Sequence, residues 1–367
     1  MPHPTDGPAN RDRPVLEVDL DAIVQNWRLM MRLAPGAEVA GVLKADGYGL
    51  GAAQVAAALA ADGCRTFFVA TTEEALALRR TQAEARIFLL GGPGRGAERE
   101  LAEARILPAL NDPSQLAHWR ALAGRLGRKL PAAIQLDTGM HRLGFDRADL
   151  LDIDLAGIEL VLVMSHLGVA DEPAHPLNEA QLQAFEERRA LLPPAPASLA
   201  ASSGVLLGKR FRFDMVRPGI ALYGAQPVAD SPIDLRPVVR LVTSVIQVHE
   251  VEAPGAVGYG ATHAVSRGMR IATLPIGYAD GLLRAAGGKV SVNVAGVDVP
   301  VVGRISMDLV TIDVTALGGR VRPGTQVEVL GGPGAVERYA EAAGTIPYEL
   351  LVRLGPRIER RYIGGTA

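Results

Sequence analysis

Val42-Leu43-Lys44-Ala45-Asp46-Gly47-Tyr48-Gly49-Leu50-Gly51 puts a lysine at the end of a short apolar run and follows it with closely spaced glycines. The run from Val39 to Leu43 reads as a buried strand, and lysine is among the residues least often buried unless its charge is paired or consumed. Two readings are open at this point. The amine can snorkel from a strand end above a glycine turn. Alternatively, partly desolvated, it loses its proton well below the usual value of about 10.4 and attacks an aldehyde.

Working outward, a rhythm begins at this stretch. Strand-like runs occur at Val39–Leu43, Thr66–Ala70, Arg86–Leu90, Ile106–Leu110, Ala132–Leu136, Leu160–Met164, Ser198–Ala201 and Met215–Leu222. Between them lie Ala/Leu/Glu/Arg-rich pieces such as Ala52–Ala61, Thr72–Arg80, Pro113–Leu126 and Asn178–Leu192, which read as helices. Eight strand signals alternating with helices predict a parallel (β/α)8 TIM-type barrel. Upstream, Leu16 to Leu20 alternates as a strand does, and Asp19 or Asp21 can cap a helix with Ile23, Val24, Trp27, Met30 and Met31 on its apolar face.

After Tyr223 the pattern changes. Pro227, Pro232 and Pro237 mark a linker, and short alternating strands follow at Val238–Val248, Arg270–Leu274, Val290–Val294, Val299–Val302, Leu309–Val314 and Gln326–Leu330. A late helix around Val336–Ala343 and a basic tail from Arg353 to Arg361 close the chain. The expected organisation is a flexible N-terminus over 1–14, a barrel over 15–235, and a smaller, mostly β C-terminal domain over 236–367.

The chain has 367 residues, 48 % of them apolar and 21 % charged, with a net charge of −2. That balance suits a globular protein and gives no basic face for nucleic acid or an anionic membrane. The polar, proline-rich start has no apolar signal region, and no run reaches the roughly 18 residues of a membrane span, so a cytoplasmic location is expected. The single cysteine, Cys64, excludes an intrachain disulfide and a Cys-rich metal site. No metal site is expected. Gly91-Gly92-Pro93-Gly94-Arg95-Gly96 lacks the Lys-Ser/Thr ending of a phosphate loop and reads as a turn.

Barrel active sites lie at the carboxyl ends of the strands, and the unusual residues follow that rule. Lys44 follows the first strand, Asp137-Thr138-Gly139-Met140-His141-Arg142-Leu143-Gly144 the fifth, Ser165-His166 the sixth and Ser202-Ser203-Gly204 the seventh, while Arg217-Pro218-Gly219-Ile220 lies in the last. With Val257-Gly258-Tyr259-Gly260 and Gly303-Arg304-Ile305-Ser306-Met307-Asp308, these segments resemble the pattern of the alanine racemase family over about Leu16 to Tyr362.

The resemblance implies pyridoxal 5'-phosphate as cofactor, with Lys44 as the lysine that holds it covalently. Tyr48, Ser202, the amides at Gly219 and Ile220, and Tyr348 are implied phosphate ligands. Hydroxyls and N–H groups can hold a dianion without a second lysine competing for the aldehyde. Arg217 is implied to face the pyridine nitrogen. A guanidinium only donates, so it leaves that nitrogen unprotonated, weakens the ring as an electron sink and favours return of the proton to Cα. Without the family, Arg217 could equally be a rim ion-pair residue, Tyr259 a turn tyrosine and His166 a satisfied histidine at a strand end.

Racemisation needs a base on each face of Cα. The resemblance supplies Lys44 for one and Tyr259 for the other, with His166 and Arg217 hydrogen-bonded behind the tyrosine. It implies a head-to-tail homodimer in which each site is completed by the other chain, and alanine as substrate. Arg142 and Met307 are its implied carboxylate contacts, Arg142 also touching the cofactor, and Asp171, Tyr278, Arg284, Arg304 and Ile346 its implied entrance residues. Two positions depart from many relatives. Gln135 replaces an often carbamylated lysine behind Arg142, which implies activity independent of bicarbonate, and His141 stands where glycine is common. Rival readings are a racemase acting on serine or larger amino acids, a decarboxylase on the related barrel, and a non-catalytic cofactor-binding protein.

Overall fold

The computed structural model describes residues 13–365. Of the stretch 1–14 expected to be flexible, residues 1–12 lie outside the described residues, whereas Pro14 is held by its carbonyl, which accepts the Glu359 N–H at 3.0 Å. The chain divides into two compact units, Leu20–Arg236 and a second that joins the residues up to Asp19 with Pro237–Gly364.

Strand β1 is Val15–Asp19, and the strands of the first unit are β2 (Glu38–Val39), β3 (Gly41–Val42), β4 (Thr66–Val69), β5 (Arg86–Leu89), β6 (Ile106–Leu110), β7 (Leu130–Gln135), β8 (Ile158–Met164), β9 (Ala197–Ser198) and β10 (Met215–Val216). From β3 to β9 they pair in sequence order, all parallel. The expected first strand breaks at Ala40, so that β2 pairs with β10 and β3 with β4. The remaining seam is closed by Asp214 N–H to Ala197 O at 3.1 Å and Arg217 N–H to Ala200 O at 2.9 Å. The ring of strands is therefore complete, as the sequence rhythm predicts. Two expected strands are much shorter: the seventh, Ser198–Ala201, is reduced to Ala197–Ser198, and the last ends at Val216, beyond which Gly219 turns the chain into a 3₁₀ turn at Ile220–Tyr223.

The helices start where local chemistry asks. Asp112 accepts the Gln115 N–H ahead of Pro113, and Gly127 stops that helix in the left-handed region. Thr71 and Glu74 form a capping box ahead of Thr72–Thr81. These caps fix where the helices after β4 and β6 begin.

In the second unit a six-stranded sheet runs in the order Val297–Pro300, Ser291–Val294, Gln326–Leu330, Val239–Ser244, β1, Glu359–Ile363. This corrects the boundary expected at residue 15. β1 pairs antiparallel with Val239–Ser244 and parallel with Glu359–Ile363, burying Leu16 and Val18, and does not join the barrel. A strand followed by a capped helix looks the same whichever sheet receives it. The basic tail is likewise structured, as the helix Pro347–Arg353 and the strand Glu359–Ile363. A second sheet of three strands (Gln247–Glu250, Arg270–Leu274, Val310–Asp313) and a hairpin, Gly255–Val257 with His263–Val265, complete the unit. Among the described residues no helix is long and apolar enough to cross a membrane.

Candidate active site

Beyond Leu43 the backbone inverts its hand. Ala45, Asp46, Gly47, Tyr48 and Gly49 all have φ between 53° and 81°, a left-handed turn that costs each side-chain-bearing residue about 1–2 kcal/mol. Bonds within the turn offset part of that cost: Gly47 N–H to Leu43 O, Gly49 N–H to Ala45 O and Gly51 N–H to Asp46 O, each 2.8 Å. The Asp46 carboxylate takes the Ala52 N–H, capping the next helix. The turn sends Tyr48 inward. Its ring is buried and stacks on Tyr223 with centroids 4.5 Å apart, while Tyr223 donates to Val42 O at 2.8 Å. The Tyr48 hydroxyl lies where a side chain at 219 would go, only 2.2 Å from the place of a Cβ, so any larger residue at 219 would have to displace the buried Tyr48 ring.

Ser202, 2 % exposed, meets the same backbone. Its Oγ accepts the Gly219 N–H at 2.9 Å and the Ala221 N–H at 3.3 Å, and the buried Ile220 N–H has no acceptor among the described residues. Two hydroxyls and the Ile220 amide thus gather at one end of the barrel, beside the Gly219 and Ala221 amides that Ser202 engages, a set suited to a phosphate dianion. Ser203 points away and donates to Pro227 O. Sequence reasoning missed Ala221 and Tyr223, which carry no motif signal and act through a backbone amide and a ring stack.

Arg217 is 4 % exposed, yet no carboxylate pairs with it among the described residues. Its guanidinium donates to Ser198 Oγ at 2.5 Å and Ser165 O at 2.6 Å, and it lies 5.9 Å from the Phe68 ring. Ser165 Oγ donates to Leu136 O and contacts Thr138 Oγ1, which accepts from Gln181. Gln181 also donates to His166 O, tying the loop after β7 to the loop after β8. This buried network of neutral groups leaves a cation with donor capacity in hand, the property needed beside a ring nitrogen. Burial pulls Arg217 down to about 10, so it remains charged at neutral pH.

Lys44, Arg142, Arg217 and His166 come close enough to act on one another. The Lys44 amine keeps access to solvent while protein surrounds it on most sides. Desolvation and then Arg142 hold it below the ordinary lysine value, opposed by Glu74. Desolvation, Arg217, Arg142 and Lys44 push His166 down to about 3, which makes it neutral. The expected hydrogen bond from Arg217 to the His166 ring is absent among the described residues, because Arg217 is spent on Ser198 and Ser165. Arg142 is exposed, and neither its side chain nor that of Gln135 has a hydrogen-bond partner there. The loop ahead of it is fixed by Asp137, which accepts the N–H groups of Gly139, Met140 and His141, the last in the left-handed region at φ 53°. Asp171 is exposed in the loop after β8.

The remaining predicted residues belong to the second unit. Tyr259 heads a 3₁₀ turn at the tip of the hairpin and is 71 % exposed; Tyr278, Met307, Ile346 and Tyr348 are exposed too, as are Arg284 and Arg304. Arg304 lies against Gly260 in the Tyr259 turn. Tyr278 and Met307 sit on two loops zipped together by Tyr278 N–H to Ser306 O at 3.0 Å and Ala279 N–H to Met307 O at 2.9 Å. Gly277 permits that approach, since a Cβ there would fall 2.3 Å from Met307 O. The buried Asp280 accepts the Gly277 N–H and pairs with Arg357 at 2.8 Å, while Arg357 also reaches Asp308 at 2.7 Å. The Met307 N–H has no acceptor among the described residues. Asp280 and Arg357 were not singled out in the sequence, and the carboxylate in Gly277-Tyr278-Ala279-Asp280-Gly281 was the available signal.

Residues 18–227 match the alanine racemase N-terminal domain and residues 238–362 the alanine racemase C-terminal domain. A Rhodospirillum rubrum protein named alanine racemase is 47 % identical over 98 % of both chains. A Mesorhizobium japonicum protein named catabolic alanine racemase is 46 % identical over 96 % of this chain and 93 % of its own. The crystal structure of alanine racemase from Bartonella henselae with covalently bound pyridoxal phosphate matches with a TM-score of 0.91 at 39 % identity, covering 96 % of this chain and 99 % of that one.

Proposed function

The chain belongs to the alanine racemase family and is a pyridoxal-phosphate-dependent isomerase; from that premise we propose that it interconverts L- and D-alanine with Lys44 and Tyr259 as the two bases. Tyr48, Ser202, the amides of Gly219 and Ile220, and Tyr348 hold the cofactor phosphate, and Arg217 donates to the pyridine nitrogen. Bound there, the cofactor supplies the electron-withdrawing ring that acidifies Cα–H. Arg142 and the Met307 N–H orient the substrate carboxylate, and Tyr278, Ile346, Arg284, Arg304 and Asp171 narrow the mouth to a small side chain.

The proton balance is simple. For one enantiomer the uncharged Lys44 amine takes the Cα proton as the C–H bond breaks, and the Tyr259 hydroxyl delivers a proton to the opposite face. For the other enantiomer the roles reverse. The low proton affinity of His166 lets it meet the tyrosine oxygen without adding a positive charge to the site. The observation that carries this reading is Arg217, a buried guanidinium with neutral partners only, beside a lysine held below its usual value. Each site is shared between two copies in a head-to-tail dimer, and in the cytoplasm the enzyme supplies D-alanine for peptidoglycan.

Mixing two dead variants tests both bases and the dimer. Lys44→Ala should lose the cofactor absorbance and all turnover, and Tyr259→Phe should keep the absorbance while racemising alanine about 10²–10⁴-fold more slowly. Unfolded and refolded together, they should recover about one quarter of wild-type sites, since half of the chains pair as heterodimers with one intact site each. No recovery would reject the shared site. A Tyr259→Phe rate equal to wild type would reject the second base.

A further inference from the structure

Glu74 caps its own helix with one carboxylate oxygen and leaves it with the other. Oε2 accepts the Ala70 N–H at 2.8 Å and the Thr71 N–H at 3.3 Å, at the end of β4. Oε1 reaches the neighbouring loop and accepts the Ala45 N–H at 2.6 Å. Ala45 follows Lys44 and opens the left-handed turn, where it has no glycine's freedom. The bonds from the Gly47, Gly49, Gly51 and Ala52 N–H groups lie within residues 43–52, whereas the Glu74 bond comes from a neighbouring strand loop. The charged groups facing the amine are Arg142, from the loop after β7, Arg217, just after β10, and Glu74, with neutral His166 nearby. Asp46, in the same turn, is spent on the Ala52 N–H.

We propose that Glu74 is a positioning residue for Lys44: through the Ala45 N–H its carboxylate fixes the strained turn that carries Lys44 and Tyr48, and it sets a negative charge beside the amine. The two roles have opposite consequences. Holding the turn aims the amine and Tyr48 at one ligand, while the charge favours the protonated amine and tempers the desolvation that would otherwise strip it. The inference rests on reading Lys44 as the residue that holds pyridoxal phosphate.

Two near-isosteric variants separate the roles. Glu74→Gln keeps an oxygen on the Ala45 N–H and loses the charge. Glu74→Asp keeps the charge and is one methylene too short to serve both loops. The full-length chain, supplied with pyridoxal 5'-phosphate, is reduced with borohydride across a pH series: the amine adds to the aldehyde carbon, water leaves, and hydride fixes the C–N bond. The labelled peptide is then quantified by mass.

In Glu74→Gln the midpoint of Lys44 labelling should move to lower pH, with cofactor affinity within about threefold of wild type. In Glu74→Asp the midpoint should stay, with affinity falling about tenfold and chymotryptic cleavage after Tyr48 appearing in the folded protein. Labelling of Lys44 in which neither variant moves midpoint, affinity or cleavage overturns the role of Glu74 and leaves the cofactor reading standing. Wild-type protein whose Lys44 takes no label at any pH overturns both.

Discussion

The proposed residues of the barrel interior and those of the C-terminal unit stand in opposite conditions. In the barrel unit Arg217, Ser202 and Tyr48 are buried, and neighbouring backbone and hydroxyl groups hold Arg217 and Ser202 in place. In the C-terminal unit the backbones of the Tyr278 and Met307 loops are clamped by Asp280 and Arg357, but the side chains stand uncovered, Tyr259 at 71 % and Met307 at 53 % exposure. The difference follows from the tasks. A dianion and a ring nitrogen are held best by donors oriented in advance in a poorly solvated place. A proton donor and a substrate mouth have to be reached from outside, so their loops are braced from behind and left open in front.

Three perturbations would break or sharpen that contrast. The largest effect is expected at the crowded end: Gly219→Ala drives a methyl onto the Tyr48 hydroxyl, and cofactor affinity, measured by absorbance titration, should drop at least about a hundredfold. An unchanged affinity would mean that the barrel half is soft, not preorganised.

Next comes pH. His166 is pushed down to about 3 in the folded chain, against about 6.5 when unfolded, so the unfolded chain binds the extra proton between those values. Its contribution to stability is therefore present above about pH 6.5 and lost as pH falls toward 3. His166→Asn should flatten the decline of the urea midpoint between pH 6.5 and 4, and equal slopes for the two proteins would contradict a neutral His166.

The smallest effect belongs to the open half. Arg357→Met removes the Asp280–Arg357–Asp308 clamp behind the two loops while the Ser306 and Met307 carbonyl bonds between them remain, and should raise the KM for alanine several-fold with kcat and cofactor affinity nearly unchanged. A fall in cofactor affinity of the same size would erase the division between the halves.

The barrel could be read from the chain itself because its signals are local. Strand and helix periods, the Asp112–Pro113 start and Gly127 stop of a helix, and the clustering of Lys44, Arg142, His166, Ser202 and Arg217 at strand ends all act within a few residues. By itself, then, the sequence determined the order of elements, the family, and the strand ends at which the proposed site residues lie. Only the tertiary structure decided that β1 serves the C-terminal sheet, since an alternating strand buries Leu16 and Val18 equally well against either partner. It also decided the left-handed turn at Ala45 and Asp46, which no intrinsic preference requires, and the bonds from Glu74 to Ala45, Ser202 to Gly219 and Arg357 to Asp280. Those bonds join residues 29, 17 and 77 positions apart. Propensity and spacing act over one helical turn or one strand, whereas a buried donor takes whichever acceptor the packed chain brings within about 3 Å.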